Sequence, residues 1–196
     1  MTGAADDDPS GIGKAAADYI AGQLNCKGNV VEIQGVAGIS VTELRTKGFA
    51  DGIKRCNGGI RVVARQPADF LPDKGLQVME TILQGQKHVD AVYTHDDDMA
   101  MGVVQAIRNA NRQNEMFVTG AGGSKDAMNL IAEGNLYRAT FLYNPSMSGS
   151  AISIAKLIAE RKGLSELLEP EVPSRIVLPA TTVTKNNVAS VQGLGY

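Results

Sequence analysis

Apolar positions along the chain alternate between two rhythms. Short, nearly continuous apolar runs read as strands: NVVEIQ at 29–34, IRVVAR at 60–65, VDAVYT at 89–94, EMFVT at 115–119, and residues 136–142. Between them the apolar residues recur three or four apart, as on one helix face. Ala16, Tyr19, Ile20 and Leu24 share such a face over 13–24. Leu76, Met79, Ile82 and Leu83 do so over 74–84, and Met99, Val103 and Ile107 over 98–109. Two more helices are predicted, over 41–55 and 124–133. Ser40 and Glu43 have capping-box spacing before the first, and Gly134 stops the second. Asn57-Gly58-Gly59 is a further stop signal. Strands separated by single helices pair in parallel, and right-handed crossovers then cover both faces. The predicted fold is α/β: a doubly wound parallel sheet in three α/β/α layers. The tail differs, with a helix over 147–161, a Leu-rich acidic link, and two extended pieces at 175–178 and 181–184.

Composition narrows this picture. The 196 residues suffice for one domain with a core, or one domain plus pieces of another. A formal net charge of -2, without clustered Lys and Arg, argues against a nucleic-acid partner. Glycine is frequent (22) and aromatics scarce (5%), which suits many tight strand-to-helix turns. No apolar run approaches the ~20 residues that cross a bilayer. The acidic, polar segment 1–10 does not read as a signal peptide. Cys26 and Cys56 are too few for a disulfide scaffold and lack CxxC spacing.

In an open parallel sheet, ligands bind outside the carboxyl ends of the strands. The segments there are Gln34 to Gly38 with Arg45 about one turn into the next helix, Gln66 to Phe70, His95 to Asp98, Gly120 to Gly123, and Tyr143-Asn144. These groups suit a neutral polyol. Arginine is a rigid fork of donors, carboxylates accept hydroxyl protons, and aromatic rings offer flat apolar faces. Each has a plainer reading: Arg45 as a solvated helix residue, Phe70 as core, Tyr143 as hinge packing. The run His95 to Asp98 invites a metal, but neighbours on one turn rarely converge on one ion. Helix capping by the aspartates, with Asp96 touching ligand, is the expectation. GAGG at 120–123 lacks both GxGxxG and a P-loop lysine and reads as a tight turn. No nucleophile has a neighbouring base, so neither an enzyme nor a cofactor is expected.

Several stretches together resemble the ribose/galactose class of periplasmic binding proteins, the type I solute-binding fold. They are VVEIQGVAGISVTELRTKGFADGI, RQPADF, DAVYTHDDDMAMGVVQAI, EGNLYRATFLYNPSMSG and the closing VTKNNV. The flavour is that of galactofuranose-type sugar binders. The resemblance implies a two-lobed periplasmic receptor that closes over a monosaccharide and feeds an ABC transporter membrane permease. It implies sugar contacts at Arg45, at the stacking aromatic Phe70, and at Asp96, where relatives usually have Asn. Gly122 stands where relatives commonly have an Asp, and Tyr143 where they often have an amide. The resemblance therefore carries the ligand class but not the particular sugar.

By the same resemblance, residues 5–143 plus 181–196 form the second lobe, and 144–180 belong with a first lobe not contained here. The helix over 147–161 would then lack its packing partner, leaving Ile152, Ile154, Leu157 and Ile158 partly exposed; a homodimer through it, or a helix that folds back or is disordered, is expected. In that fold Cys26 and Cys56 precede neighbouring strands at one edge, so a disulfide is expected, with two buried thiols as the alternative. LacI-type transcriptional regulators share the core, which leaves an effector-sensing regulator as the second function.

Overall fold

The computed structural model describes residues 4–7, 9–142, 147–160, 175–178 and 180–196. The chain divides into two compact units, one of residues 9–142 and 182–196, the other of residues 1–8 and 143–181.

In the larger unit, helices and strands alternate as β2 (Gly28–Gln34), β3 (Ile60–Pro67), β4 (Ala91–Thr94), β5 (Phe117–Gly122) and β6 (Tyr137–Leu142), joined by helices. The helices are α1 (Pro9–Gln23) before β2, then α2 (Ser40–Ile53), α3 (Pro72–Gly85), α4 (Asp97–Asn109) and α5 (Lys125–Glu133). After β6 the unit closes with β8 (Thr181–Thr184) and α7 (Val188–Val191). The sheet order is β3-β2-β4-β5-β6-β8, with parallel pairing from β3 through β6. The doubly wound parallel sheet read from the sequence is the observed fold.

Alternation along the strands explains the two layers of helix. Val31, Ile33, Val92 and Val118 bury one face against Met79, Met99, Val103, Ile107, Met128 and Ile131 of α3, α4 and α5. Burial stabilises each such side chain by roughly 1.5–3 kcal/mol. The intervening positions Val30, Glu32 and Gln34 face the other way. On that side lie Ile12, Ala16 and Ile20 of α1, and Phe49 of α2 stacks on Tyr93 with ring centroids 4.8 Å apart.

Three local expectations need correction. The Ser40–Glu43 capping box does not form: Ile39 is the N-cap, no side chain caps α2, and Ser40 is already helical. The strand predicted at 115–119 is β5 at Phe117–Gly122, so most of the predicted GAGG turn is strand. Gly120, Ala121 and Gly122 continue the ladder because β6 offers Thr140, Phe141 and Leu142 as partners. The third correction concerns the tail helix, in the smaller unit.

There β1 (Ala4–Asp7) pairs in parallel with β7 (Arg175–Leu178), and α6 (Met147–Ala159) lies against β1. The tail helix therefore has a packing partner. Of its described isoleucines, Ile154 is 6% exposed and Ile152 is 70% exposed. The side chains of Leu157 and Ile158, and all of Tyr143, lie outside the described residues. Cys26 and Cys56 are joined in a disulfide, with Cα atoms 5.0 Å apart across a separation of 30 residues.

Candidate functional site at the carboxyl edge of the sheet

The order of the sheet reverses between β2 and β4: from β2 the chain moves outward to β3, then returns to β4 on the other side. Such a switch point opens a crevice at the carboxyl ends of the strands. Gln34 and Gly35 end β2 on one side of it, and Thr94, His95 and Asp96 end β4 on the other.

Arg45 reaches this point from α2. It is only 2% exposed, and its Nη1 donates to the carbonyl of His95. The solvated reading of Arg45 is thereby excluded. A hydrogen-bonded network lies beside it. Glu32, fully buried on β2, accepts from Thr46 Oγ1 (2.8 Å) and Arg65 Nε (2.7 Å), and its Oε1 is 3.1 Å from His95 Nε2. Gln34 Nε2 donates to Thr46 Oγ1 at 2.6 Å. Burial opposes ionisation of Glu32, but the hydrogen bonds and charge of His95 and Arg65 outweigh it and hold the carboxyl below its usual range. Burial likewise pushes the His95 imidazole down, only partly offset by Glu32. Three buried polar atoms, Thr42 Oγ1, Tyr93 Oη and His95 Nδ1, have no protein partner among the described residues.

Asp96 caps α4: its Oδ1 accepts from the Met99 amide at 2.9 Å. Burial pushes its carboxyl up to about 6; the neighbouring Asp98 and Asp97 add to this, while the Met99 amide and Arg45 oppose it. Phe70 sits on the β3–α3 turn at φ 62°, half-buried. Its ring occupies the space where a side chain at residue 35 would be, since a Cβ on Gly35 would meet it at 1.9 Å. Only glycine at the end of β2 admits the ring this close. Gly122 ends β5 at φ 123°. Arg45, Phe70 and Asp96 therefore converge on the ends of β2 and β4, and Gly122 lies on the adjoining strand.

Asp97 went unrecognised in the sequence. It is fully buried, and Oδ2 accepts from the amides of Gly123 (2.7 Å) and Ser124 (2.8 Å) while Oδ1 accepts from Tyr137 Oη (2.6 Å) and Thr140 Oγ1 (2.8 Å). One carboxylate thus fastens the β5–α5 turn and β6 to the start of α4. Gly120 makes room for this, because a Cβ there would meet Tyr137 Oη at 2.0 Å and Asp97 Oδ1 at 2.4 Å. These partners lie 26 to 43 residues away, beyond any local pattern. Glu32 did carry a signal: a carboxylate inside an apolar strand requires a buried partner.

Among the described residues no group of three His, Cys, Asp or Glu side chains could hold a metal ion. A concavity of about 680 Å³ at the opposite, amino-terminal edge is lined by Arg108, Glu115, Phe117 and Arg138. The carboxyl ends of α1, α4 and α5 surround this concavity, which lies away from the switch point.

An open doubly wound lobe with a polar, aromatic-flanked crevice at its switch point is the build of a small-molecule binding domain. The chain belongs to the periplasmic binding protein domain family, which it matches over residues 4–163. It is 32% identical over 161 residues to the ribose import binding protein of Haemophilus influenzae, covering 82% of this chain and 52% of that protein. It is 32% identical over 190 residues to the galactofuranose-binding protein of Escherichia coli, covering 94% of this chain and 58% of that one. Among solved structures, the fructose-binding periplasmic domain of a hybrid two-component system superposes with TM-score 0.87 at 27% identity, covering 98% of this chain and 61% of the other. A galactofuranose-binding protein gives 0.86 at 26%, covering 100% and 67%. The chain spans about half the length of the curated relatives it matches.

Proposed function

We propose that this chain is the second lobe of a periplasmic receptor that binds a monosaccharide and delivers it to an ABC import permease. The lobe comprises residues 9–142 and 182–196 rather than beginning at residue 5, and the smaller unit, residues 1–8 and 143–181, belongs with the first lobe of the whole receptor. The observation that carries the reading is the buried Arg45, pinned to the His95 carbonyl at the switch point with Asp96 and Phe70 beside it. A guanidinium, a carboxylate and an aromatic face are the groups that grip a polyol ring. Relatives named for ribose and galactofuranose binding support the ligand class, and favour a receptor over a LacI-type regulator. Arg45, Phe70, Asp96, Gly122 and Tyr143 are the proposed contacts, and the lobe binds without chemical turnover.

Closure of two lobes about their hinges would trap the sugar and present a signal to the permease. One lobe offers half of that cleft, so its own affinity is weak. Amide NMR titration with ribose, allose, and furanose and pyranose forms of galactose tests the reading. Shifts clustered at 34–45, 66–70 and 95–98 are expected. Shifts scattered elsewhere, or none with any sugar at high concentration, count against sugar binding by this lobe.

A further inference from the structure

The carboxyl edge holds one more aromatic side chain. After α7 a short 3-10 turn, Gln192–Leu194, brings the chain back to the β5–α5 turn. There the Tyr196 carbonyl accepts a hydrogen bond from the Lys125 amide at 3.1 Å, at the first residue of α5. Gly195 lies so close that a Cβ on it would meet the Gly123 carbonyl at 3.1 Å and the Met128 sulfur at 3.2 Å. Gln192 Nε2 adds a bond to Asn129 Oδ1 at 3.0 Å. This is the turn whose Gly123 and Ser124 amides bind Asp97, the neighbour of Asp96. Tyr196 is thus held at the crevice rim by its own backbone bond to Lys125, with Gly195 packed on the turn and the Gln192 side chain tied to α5, yet Tyr196 is 63% exposed. Sheet order puts Phe70 on the β3 flank of the switch point and Tyr196 on the β5 flank, with Arg45 and Asp96 between.

We propose that Tyr196 is a ligand-contacting residue of this site, a second aromatic face opposing Phe70 across the sugar. The proposal rests on the sugar-binding reading and adds a residue to it. A phenol suits the role: its ring covers the C–H side of a sugar, and its hydroxyl donates to a ring or hydroxyl oxygen. Partial burial and the negative charges of Asp98, Asp97 and Asp96 raise the phenol pKa, keeping the proton on at physiological pH.

Two measurements on the full chain test this. Without sugar, Tyr196→Ala is expected to shift the amides of Asp96, Asp97 and Asp98 as well as Lys125. Unmoved amides at 96–98 would overturn the placement of the side chain. With D-ribose and D-galactose as probes, Tyr196→Ala is expected to weaken binding about three- to tenfold, and Tyr196→Phe less. Equal affinities for the three proteins would overturn the contact. If sugar moves nothing in the wild type while the sugar-free shifts at 96–98 are present, the sugar-binding reading has failed and the proposed contact fails with it.

Discussion

Two buried carboxylates organise the carboxyl edge, and the protein treats them in opposite ways. Glu32 touches an imidazole, a guanidinium and a hydroxyl; Asp97 touches two backbone amides and two hydroxyls. Burial works against the charge at both. At Glu32 the charged partners win and the carboxyl is pushed down; at Asp97 neutral donors do not suffice and it is pushed up. The difference separates two tasks. Around Glu32, charge balance keeps the floor under Arg45 ionised and in place. At Asp97, geometry is fixed by the number of donors, at a cost in desolvation.

The comparison can be broken most forcefully at Asp97. Asp97→Ala leaves two amides and two hydroxyls unpaired in the interior, and a loss of about 3–5 kcal/mol in urea denaturation is expected. A loss under about 1 kcal/mol would mean that water or a rearranged turn takes over. At Glu32 the effect should be smaller, about 2 kcal/mol for Glu32→Gln, because the amide keeps one acceptor and Arg65 can turn to solvent. If Glu32→Gln proved the more damaging, charge balance rather than donor number would be the dominant fastening.

Asp96 sharpens the contrast through pH. Its native pKa of about 6 lies above that of an unfolded Asp, so its ionised form costs stability at pH 7 and above, and the cost disappears as pH falls from 6 toward 4. Asp96→Asn keeps a capping acceptor for Met99. It should be more stable than the wild type by about 1 kcal/mol at pH 8, and the two should match near pH 4. A gap independent of pH would assign the change to packing. The linkage at Glu32 and His95 runs the other way. Both are depressed in the native state, so their stabilising contributions are lost as pH falls, below about 6.5 for His95 and then through the lowered range of Glu32. The smallest effect is expected at Tyr93, whose buried hydroxyl has no protein partner among the described residues. Tyr93→Phe should be neutral or stabilising by up to about 1 kcal/mol in thermal unfolding. A clear loss would reveal an internal water bound there.

Much of the architecture was legible because it follows from periodicity. Strands buried on both faces read as apolar runs, and helices between them fix parallel pairing. Helix α5 ends at Gly134 in the left-handed conformation, as read from the sequence. What failed was local chemistry overruled at a distance. Ser40 was absorbed into α2 rather than capping it, and β5 ran on through glycines because β6 was there to pair with them. The convergence of Arg45, Phe70 and Asp96 could be anticipated from strand ends. The Asp97 fastening could not, since its donors come from a turn and a strand far along the chain. Tyr196 was invisible for the same reason: only the return of the chain past α7 brings it to the β5–α5 turn.

The anchor of Arg45 is a backbone carbonyl, and a carbonyl is encoded by no codon. Replacing the side chain of His95 leaves that hydrogen-bond acceptor where it was. Drift at residue 95 can therefore retune the surrounding network while the anchor for the guanidinium is inherited unchanged. A site built this way can change its neighbouring side chains, one at a time, without first losing the anchor of its guanidinium.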